Sequence, residues 1–597
     1  MHVAGVKVWA CLCFGWLALL VLPVAGCAET PATESTSEAA AEPLVRTVRG
    51  DAGGRLVVGL AAEPKTFNPV LAGDNPSRVV LRRMMADLVH IDRASQQTGP
   101  ALAHEWTVED DGRRFRLQLR RGIRFSDGEP FDADDVVFTF QVHLDEAIGS
   151  LNRDLLIVAG EPIQVRKIDS HTVDFELAAP YAVGDRLFDS LAILPEHLLG
   201  PVYREGRFRE AWGLDADPAS IVGLGPFRLA RRVPGERVEL ERNPHYWKVD
   251  EEGQPLPYLD RVVFTVVGDG EAEALRFRAG DLDVLDGIAP ESYRQLADRQ
   301  QSEGFRLWDL GPGVAYTFLV FNLNTIDPQQ LPELARRQTW FRQVAFRRAV
   351  SLAIDRDSLV RLVYRGLATP IASQVSPGNR LWQNTDLPTP RRDLEQARRL
   401  LTEAGFVFEG GVLRDPEGQP VEFSILTSSS NEPRRQMGTI IQQDLAELGI
   451  RAQLVTLEFR SLVDRLLKSY DYDLCILGLG AGDVDPNGAI GTVKSDGPNH
   501  FWHLGQSEPA TPWEAEIDRL MERQLITLDR VERKRLYDRV QAILAEQVPL
   551  VFLVSPNVLV GAREGLGNFR PAVLDHPTLW NLDEIFWRDA GRRGPRN

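Results

Sequence analysis

Leu119-Arg120-Arg121-Gly122-Ile123-Arg124-Phe125-Ser126-Asp127-Gly128-Glu129-Pro130-Phe131-Asp132-Ala133-Asp134-Asp135-Val136 decides how the chain is read. Just before it, Phe115-Arg116-Leu117-Gln118-Leu119 alternates apolar and polar residues, the period of a half-exposed strand. Arg121-Gly122 and Phe125-Ser126-Asp127-Gly128 then read as turns, because glycine supplies backbone angles that side chains resist. Asp132 is positioned as a helix N-cap, and the acids after it suit the positive end of a helix that continues through Val136, Val137, Phe140 and Val142. Strand, turn and capped helix predict scaffold here, not chemistry.

Working outward, 597 residues exceed what one hydrophobic core comfortably holds, so two or three domains are expected. With 43% hydrophobic and 26% charged residues the chain reads as globular, and a net charge of −17 argues against nucleic-acid binding. Basic runs such as Arg347-Arg348 are short and read as solvated helix faces.

The N-terminus reads as a processing segment. Lys7 precedes an apolar run from Val8 to Leu22, too short to span a bilayer and suited to a signal peptide. Val24-Ala25-Gly26-Cys27 follows and resembles the bacterial lipobox, which makes 1–26 a lipoprotein signal peptide and Cys27 the lipid anchor. The alternative is an ordinary secretory cleavage site. Cys11 and Cys13 leave with the signal, so only Cys475 remains in the mature body, and its apolar neighbours mark a core residue. Residues 27–53, rich in Ala, Thr, Ser, Glu and Pro, read as a flexible tether.

The body opens with Arg55-Leu56-Val57-Val58-Gly59-Leu60, a buried-strand pattern. Polar residues after it, among them Glu63 and Asn68, are placed to face a cleft, or else belong to a proline turn. Far downstream, Leu474 to Leu477 reads as a strand entering a glycine-rich loop through Trp502. Gly478-Leu479-Gly480-Ala481-Gly482 lacks the spacing of a dinucleotide loop. Asp483-Val484-Asp485-Pro486-Asn487-Gly488 begins like a calcium loop, but Lys494 stands where a bidentate glutamate is required. His500 and His503 have no neighbouring cysteine, so no metal is expected, and no cofactor. HExxH, GxSxG, SxxK and Walker patterns do not occur, which leaves a secreted hydrolase as a second alternative only.

The quoted stretch resembles the signature of the family 5 extracellular solute-binding proteins, receptors of peptide, nickel and some sugar ABC importers. Further segments fit in the same order: Pro100-Ala101-Leu102-Ala103, Gly223-Leu224-Gly225-Pro226-Phe227, Asn243-Pro244-His245-Tyr246-Trp247, Phe321-Asn322-Leu323-Asn324, and Phe346 to Arg356. The resemblance implies an α/β, three-part periplasmic-binding-protein-like fold whose two lobes close by a hinge over a solute cleft. It puts lobe I at 54–85, 200–312 and 549–590, an accessory domain at 86–199 and lobe II at 313–548. Helix-like Phe346 to Tyr364, Asp393 to Ala404 and Met437 to Leu448 alternate there with strand-like Val421 to Leu426 and Ile450 to Val455.

The implied function is an extracytoplasmic lipoprotein, lipid-anchored on the outer side of the cytoplasmic membrane or in the periplasm. It is expected to be a monomer, to deliver oligopeptides or dipeptides to a membrane permease, and to perform no covalent chemistry. In peptide receptors of the family an Asp in the loop after the equivalent strand pairs with the peptide's ammonium, and a Trp precedes it. Here Leu479 stands for the Trp and Gly482 for the Asp. Two readings stay open. For a peptide, Asp483, Asp485 or Glu63 meets the amine while Asn322 and the amides of Leu479, Gly480 and Gly482 hold the backbone. For a neutral or sugar-like solute, Trp502, His500, Asn68 and loop amides provide stacking and hydrogen bonds. Structural roles, Asn322 bonding strand-edge groups and Trp502 plugging a core, are the plain alternatives.

Overall fold

The structure is a computed structural model that describes residues 41–189, 191–480 and 484–589; Cys27, Gly482 and Asp483 lie outside them. Part of the expected tether belongs to the body: Leu44–Arg46 pairs in parallel with Lys248–Asp250, and Arg46 Nε bonds Glu584 Oε1 at 2.6 Å. Alternation decides the first strand of the main sheet, β1 (Arg55–Leu60), whose Leu56, Val58 and Leu60 are buried on one face.

The quoted stretch folds as its pattern predicts. β2 (Ala103–Glu109) and β3 (Arg114–Leu119) lead into α1 (Ala133–Leu144), followed by β4 (Gln164–Asp169) and β5 (Thr172–Glu176). The four strands form one sheet in the order β2-β3-β5-β4. Gly122 and Gly128 take positive φ of 68° and 97° in the two turns. Asp132 caps α1 by accepting from Asp134 N at 2.7 Å, while its own amide donates to Asp135 Oδ2 at 3.0 Å, a reciprocal box. Phe115, Phe125, Phe131, Phe140 and Phe175 fill a separate core beneath.

The main sheet has twelve strands. Its first half adds β6 (Phe227–Val233), β7 (Arg237–Arg242), β8 (Arg261–Val266), α2 (Gly270–Ala279), β9 (Val284–Leu285) and β10 (Phe305–Pro312). The second half adds β11 (Tyr316–Phe321), α3 (Val344–Ala353), β12 (Ala368–Pro370), β13 (Glu422–Ser428), α4 (Glu432–Ala446), β14 (Arg451–Leu457) and β15 (Leu474–Leu479). It ends with α5 (Pro512–Ile526), α6 (Arg530–Gln547) and the long β16 (Leu550–Arg563). The order is β6-β7-β8-β1-β9-β16-β11-β15-β13-β14, with β10 and β12 also on β16. β16 is therefore shared: its first half pairs with β11 and β12, its second with β9 and β10. Separate hydrophobic cores form on the two halves, one from Phe318, Val350, Ile425 and Trp502, the other from Leu56, Phe227, Val262 and Ile585.

Two expectations need correction. Phe346 to Tyr364 is not one helix: α3 ends at Ala353, and Asp355 starts a new turn by accepting from Ser358 N at 3.0 Å, a local bond that competes with helix continuation. Arg347 is not solvated either. It is 2% exposed and donates to the carbonyls of Phe341 and Gln547, each at 2.7 Å, so its cation meets the negative end of α6.

Close packing makes one glycine obligatory. A Cβ on Gly225 would collide with the Met84 carbonyl carbon and stand 2.6 Å from Met85 N, both backbone atoms. Gly225→Ala is expected to cost about 1–3 kcal/mol, read as a lower denaturant midpoint with unchanged slope.

Candidate functional site

Strand direction locates the crevice. β1 and β8 are parallel, with Leu60 opposite Val266, and β9 runs parallel to β1. β13, β14 and β15 form a second parallel set. β16 is antiparallel to β9, with Gly561 opposite Leu285, and antiparallel to β11, with Val554 opposite Thr317, while Tyr316 opposes Leu479 on β15. The carboxyl ends of both parallel sets therefore point at the same place, the middle of β16 and the link between β10 and β11. Ligands of open α/β sheets sit outside carboxyl ends of strands, where loops and helix N-termini converge.

The link is tightly held. Gly313 N donates to Pro556 O at 2.9 Å, and Gly313 O accepts from Ser376 Oγ at 2.5 Å and Ser555 Oγ at 2.9 Å. Gly311 takes φ of 78°, a conformation suited to a bend. Two backbone passages, 311–315 and 555–558, thus join the halves.

Charge at the crevice is divided. On the second half, Arg434 lies in the first turn of α4, after the carboxyl end of β13. Its guanidinium lies against Gly478, where an added Cβ would meet Nη2 at 2.6 Å, and makes no hydrogen bond or ion pair among the described residues. Burial lowers its pKa, and the nearby Tyr364 and Cys475 oppose that. On the first half, Glu273 lies in the first turn of α2, against Gly59 of β1, and Asp286 directly follows β9. Burial pushes Asp286 up to about 6, and pushes Glu273 up to about 7 with the Asp286 charge adding to it. Asp286 accepts from Thr578 Oγ1 at 3.3 Å; Glu273 has no bonded partner among the described residues. Among the described residues, the carboxyl end of one parallel set thus carries a cation with no bonded partner, and that of the other carries two carboxyls whose pKa values burial raises.

Most residues expected to bind solute belong instead to the framework. Asn68, 1% exposed, donates to the carbonyls of Phe208 and Ala211 and accepts from Val70 N. Asn322, fully buried, donates to the carbonyls of Tyr470 and Tyr472 and accepts from Asn324. Trp502 and His500 are also fully buried. Their rings lie 3.8 Å apart, tilted by 48°, and both point a nitrogen at Glu514 Oε1, 3.0 Å from Trp502 Nε1 and 3.3 Å from His500 Nε2. Trp502 is therefore a core plug.

Asp485 is held by Arg533 through bonds of 2.6 and 2.8 Å, with both side chains buried and the guanidinium 4.9 Å above Trp382. It cannot supply a replacement carboxylate for an amine. Glu63 pairs with Arg232 at 2.7 Å. Leu479 ends β15 in half-buried surroundings, and Gly480 is exposed with open space around its Cα; these two keep the loop's carboxyl-end position. Cys475 is fully buried, its thiol pushed up to about 12 by burial, as expected of a core residue. Asp87, His90 and Asp189 approach one another, with His90 Nδ1 at 3.7 and 3.8 Å from the two carboxylates, far from the crevice's charged groups in sequence.

Arg434, Glu273 and Asp286 were not expected from sequence. The signal was present: each charge follows a buried parallel strand immediately or sits in the first turn of the next helix.

Residues 96, 181 and 182 also reach the second half. Gln96 Nε2 donates to Gly378 O at 2.7 Å, Ala182 N to Leu525 O at 2.6 Å, and Asn487 Nδ2 to Tyr181 Oη at 2.6 Å. Gln96 makes its contact from a positive φ of 65°, an unfavourable conformation for a residue with a side chain.

The family model described as bacterial extracellular solute-binding proteins, family 5 Middle, matches residues 97–501. The oligopeptide-binding protein AppA of Bacillus subtilis is 26% identical over 550 residues, which are 89% of this chain and 91% of that protein. The periplasmic alpha-galactoside-binding protein of Rhizobium meliloti is 27% identical over 530 residues, 84% of this chain and 75% of that protein. Among solved structures, the ABC transporter substrate-binding protein CtaP of Listeria monocytogenes aligns with a TM-score of 0.73 at 21% identity, covering 90% of this chain and all of that one. The last likeness is one of fold: α/β, two lobes meeting over a crevice.

Proposed function

We propose a reading that proceeds from one premise: this chain belongs to the bacterial extracellular solute-binding proteins of family 5. At the level of the family it is a binding protein of ABC transport and not an enzyme. Within that frame its solute is a peptide with free termini. The observation that carries this is the division of charge across the crevice, with Arg434 on one wall and Glu273 and Asp286 on the other. A buried cation is costly to enclose unless a ligand brings its complement, and the buried carboxyls, held toward their neutral form, give up protons when an ammonium arrives. A peptide's carboxylate suits Arg434, and its ammonium suits the acids. The loop carboxylate missing at Gly482 is thereby replaced from the opposite lobe.

The lobes we propose are 54–85 with 200–312 and 549–590, and 313–548, with 86–199 as accessory domain and 311–315 with 555–558 as hinge. Solute closes them, and the contacts of Gln96, Tyr181 and Ala182 latch the closed form, which docks on a permease. A neutral sugar, the solute named for one relative, would leave both charged walls unanswered. Leu479 and Gly480 would contribute backbone groups; Asp483 and Gly482 keep their proposed places beside them. We also propose, on the likeness of Val24-Ala25-Gly26-Cys27 to a lipobox, that Cys27 carries the lipid that holds the protein outside the cytoplasm. Cys27→Ala is expected to release the protein into the soluble fraction, and retention in membranes would reject the anchor.

The acids give a pH test. Their folded-state pKa values, about 6 and about 7, lie above the ordinary carboxylate range, so the stability they contribute is present at low pH and is lost as pH rises through those values. An ammonium between them reverses the preference and expels protons. Calorimetry near pH 6 in buffers of different ionisation enthalpy should show proton release on peptide binding that vanishes near pH 8. Equal enthalpies in all buffers at both pH values would sink the proposal that the acids meet the amine. Mass spectrometry of solute retained through gentle purification identifies the solute class directly; recovery of an oligosaccharide and no peptide would overturn the peptide reading.

A further inference from the structure

A second cavity, of about 390 Å³, is lined among the described residues by the first lobe, the accessory domain and the C-terminal segment. Its wall is rich in arginine: Arg78, Arg82, Arg83 and Arg93, with His576 among them. At one end the charges are satisfied, since Lys248 bonds Asp583 at 3.0 Å and Arg46 bonds Glu584 at 2.6 Å, with Arg570 also on Glu584.

At the other end Asp87 and Asp92 are engaged elsewhere, by His90 and by the amides of Ala94 and Ser95. Arg82 Nη1 and His576 Nε2 share Asp575, each at 3.4 Å from its Oδ2. Arg83 is 6% exposed; it donates to Leu579 O, but its Nε has no hydrogen-bond partner among the described residues. His576 Nε2 and Asn581 Oδ1, on side chains 8% and 2% exposed, also lack hydrogen-bond partners, and Arg93 makes no bond among the described residues. His576 sits at φ of 56°, a constrained backbone that presents the imidazole to the arginines. Burial, then Arg82, depresses Arg83 to about 9, while burial followed by Arg83 and Arg82 holds His576 well below the ordinary imidazole range. A buried guanidinium with unmet donors is stabilised when an anion completes its fork.

We propose that this cavity, which no described residue of 313–548 lines, is a second binding site for a compact oxyanion of charge −2 or more, such as a phosphate ester or a polycarboxylate, held by Arg82, Arg83 and Arg93. The volume leaves room for the organic part of such a molecule. The site does not depend on the peptide reading of the crevice.

Thermal unfolding and calorimetry of the full chain with inorganic phosphate and with citrate test it, against sodium chloride at matched ionic strength. One or both oxyanions should raise the unfolding midpoint where chloride does not, and which of them acts tells phosphate from carboxylate chemistry. Arg82→Gln with Arg93→Gln should weaken that binding at least tenfold; both residues are less buried than Arg83, so the fold is retained. Arg93→Gln alone, which breaks no bond among the described residues, should weaken it by a smaller factor. Arg434→Ala should leave it unchanged. The site is rejected if neither oxyanion differs from chloride, if the double variant responds like the parent, or if Arg434→Ala abolishes the effect, which would place the anion in the crevice.

Discussion

Replacing Asp485 with alanine is expected to destabilise the second lobe by about 3–5 kcal/mol, the loss typical of a buried ion pair stripped of one partner. Arg533 would then be left with its cation enclosed, 6% exposed, over Trp382. Only one bidentate partner would be gone, since its Nε still donates to Gln524 O at 3.0 Å and Gln524 Oε1 at 2.9 Å. Asp485 also accepts from Asn487 N at 2.9 Å, so the turn bearing the Asn487 contact to Tyr181 loosens with it. Denaturant titration followed by tryptophan fluorescence measures the loss. The double change Asp485→Leu with Arg533→Met should recover much of the stability, because removing both charges leaves neither unpaired. A loss below about 1 kcal/mol in the single variant would mean that solvent reaches the pair.

The second large effect concerns binding. Arg434→Ala should weaken the affinity for a free-carboxylate peptide by roughly thirtyfold, equivalent to about 2 kcal/mol or more for losing one partner of an enclosed charge pair. Stability should change little, since the Arg434 guanidinium bonds nothing in the free protein among the described residues. C-terminally amidated peptide should bind parent and variant alike. Arg434→Lys should recover part of the affinity, as a cation without the planar fork. Parent-like affinity in the alanine variant would remove Arg434 from the site.

The framework was legible because its signals are local. The alternation of β1, the glycines at 122 and 128 and the Asp132 cap each follow from a few neighbouring residues, and Asp132 formed its cap with Asp135 completing it. The break after Ala353 was equally local but hidden, because Phe346 to Tyr364 keeps an apolar period across a cap at Asp355.

Site residues were a different problem. Asn322, His500 and Trp502 have the chemistry of ligand-binding residues, and sequence cannot say whether such a side chain turns to the crevice or to the core. That depends on partners such as Tyr472 and Glu514, 150 and 12 residues away for Asn322 and Trp502. Conversely, Arg434, Glu273 and Asp286 look like ordinary helix-surface or turn charges. Their importance arises only when two distant parallel strand sets point their carboxyl ends at one place.

Calorimetric titration of a mixed-sequence short-peptide set with free termini, N-acetylated, C-amidated or blocked at both ends, tests the central claim most directly. The account predicts binding of free peptides, roughly thirtyfold weaker binding for either single block, and weaker still for both. Equal binding of free and doubly blocked peptides, or binding of a neutral oligosaccharide where every peptide fails, would contradict it.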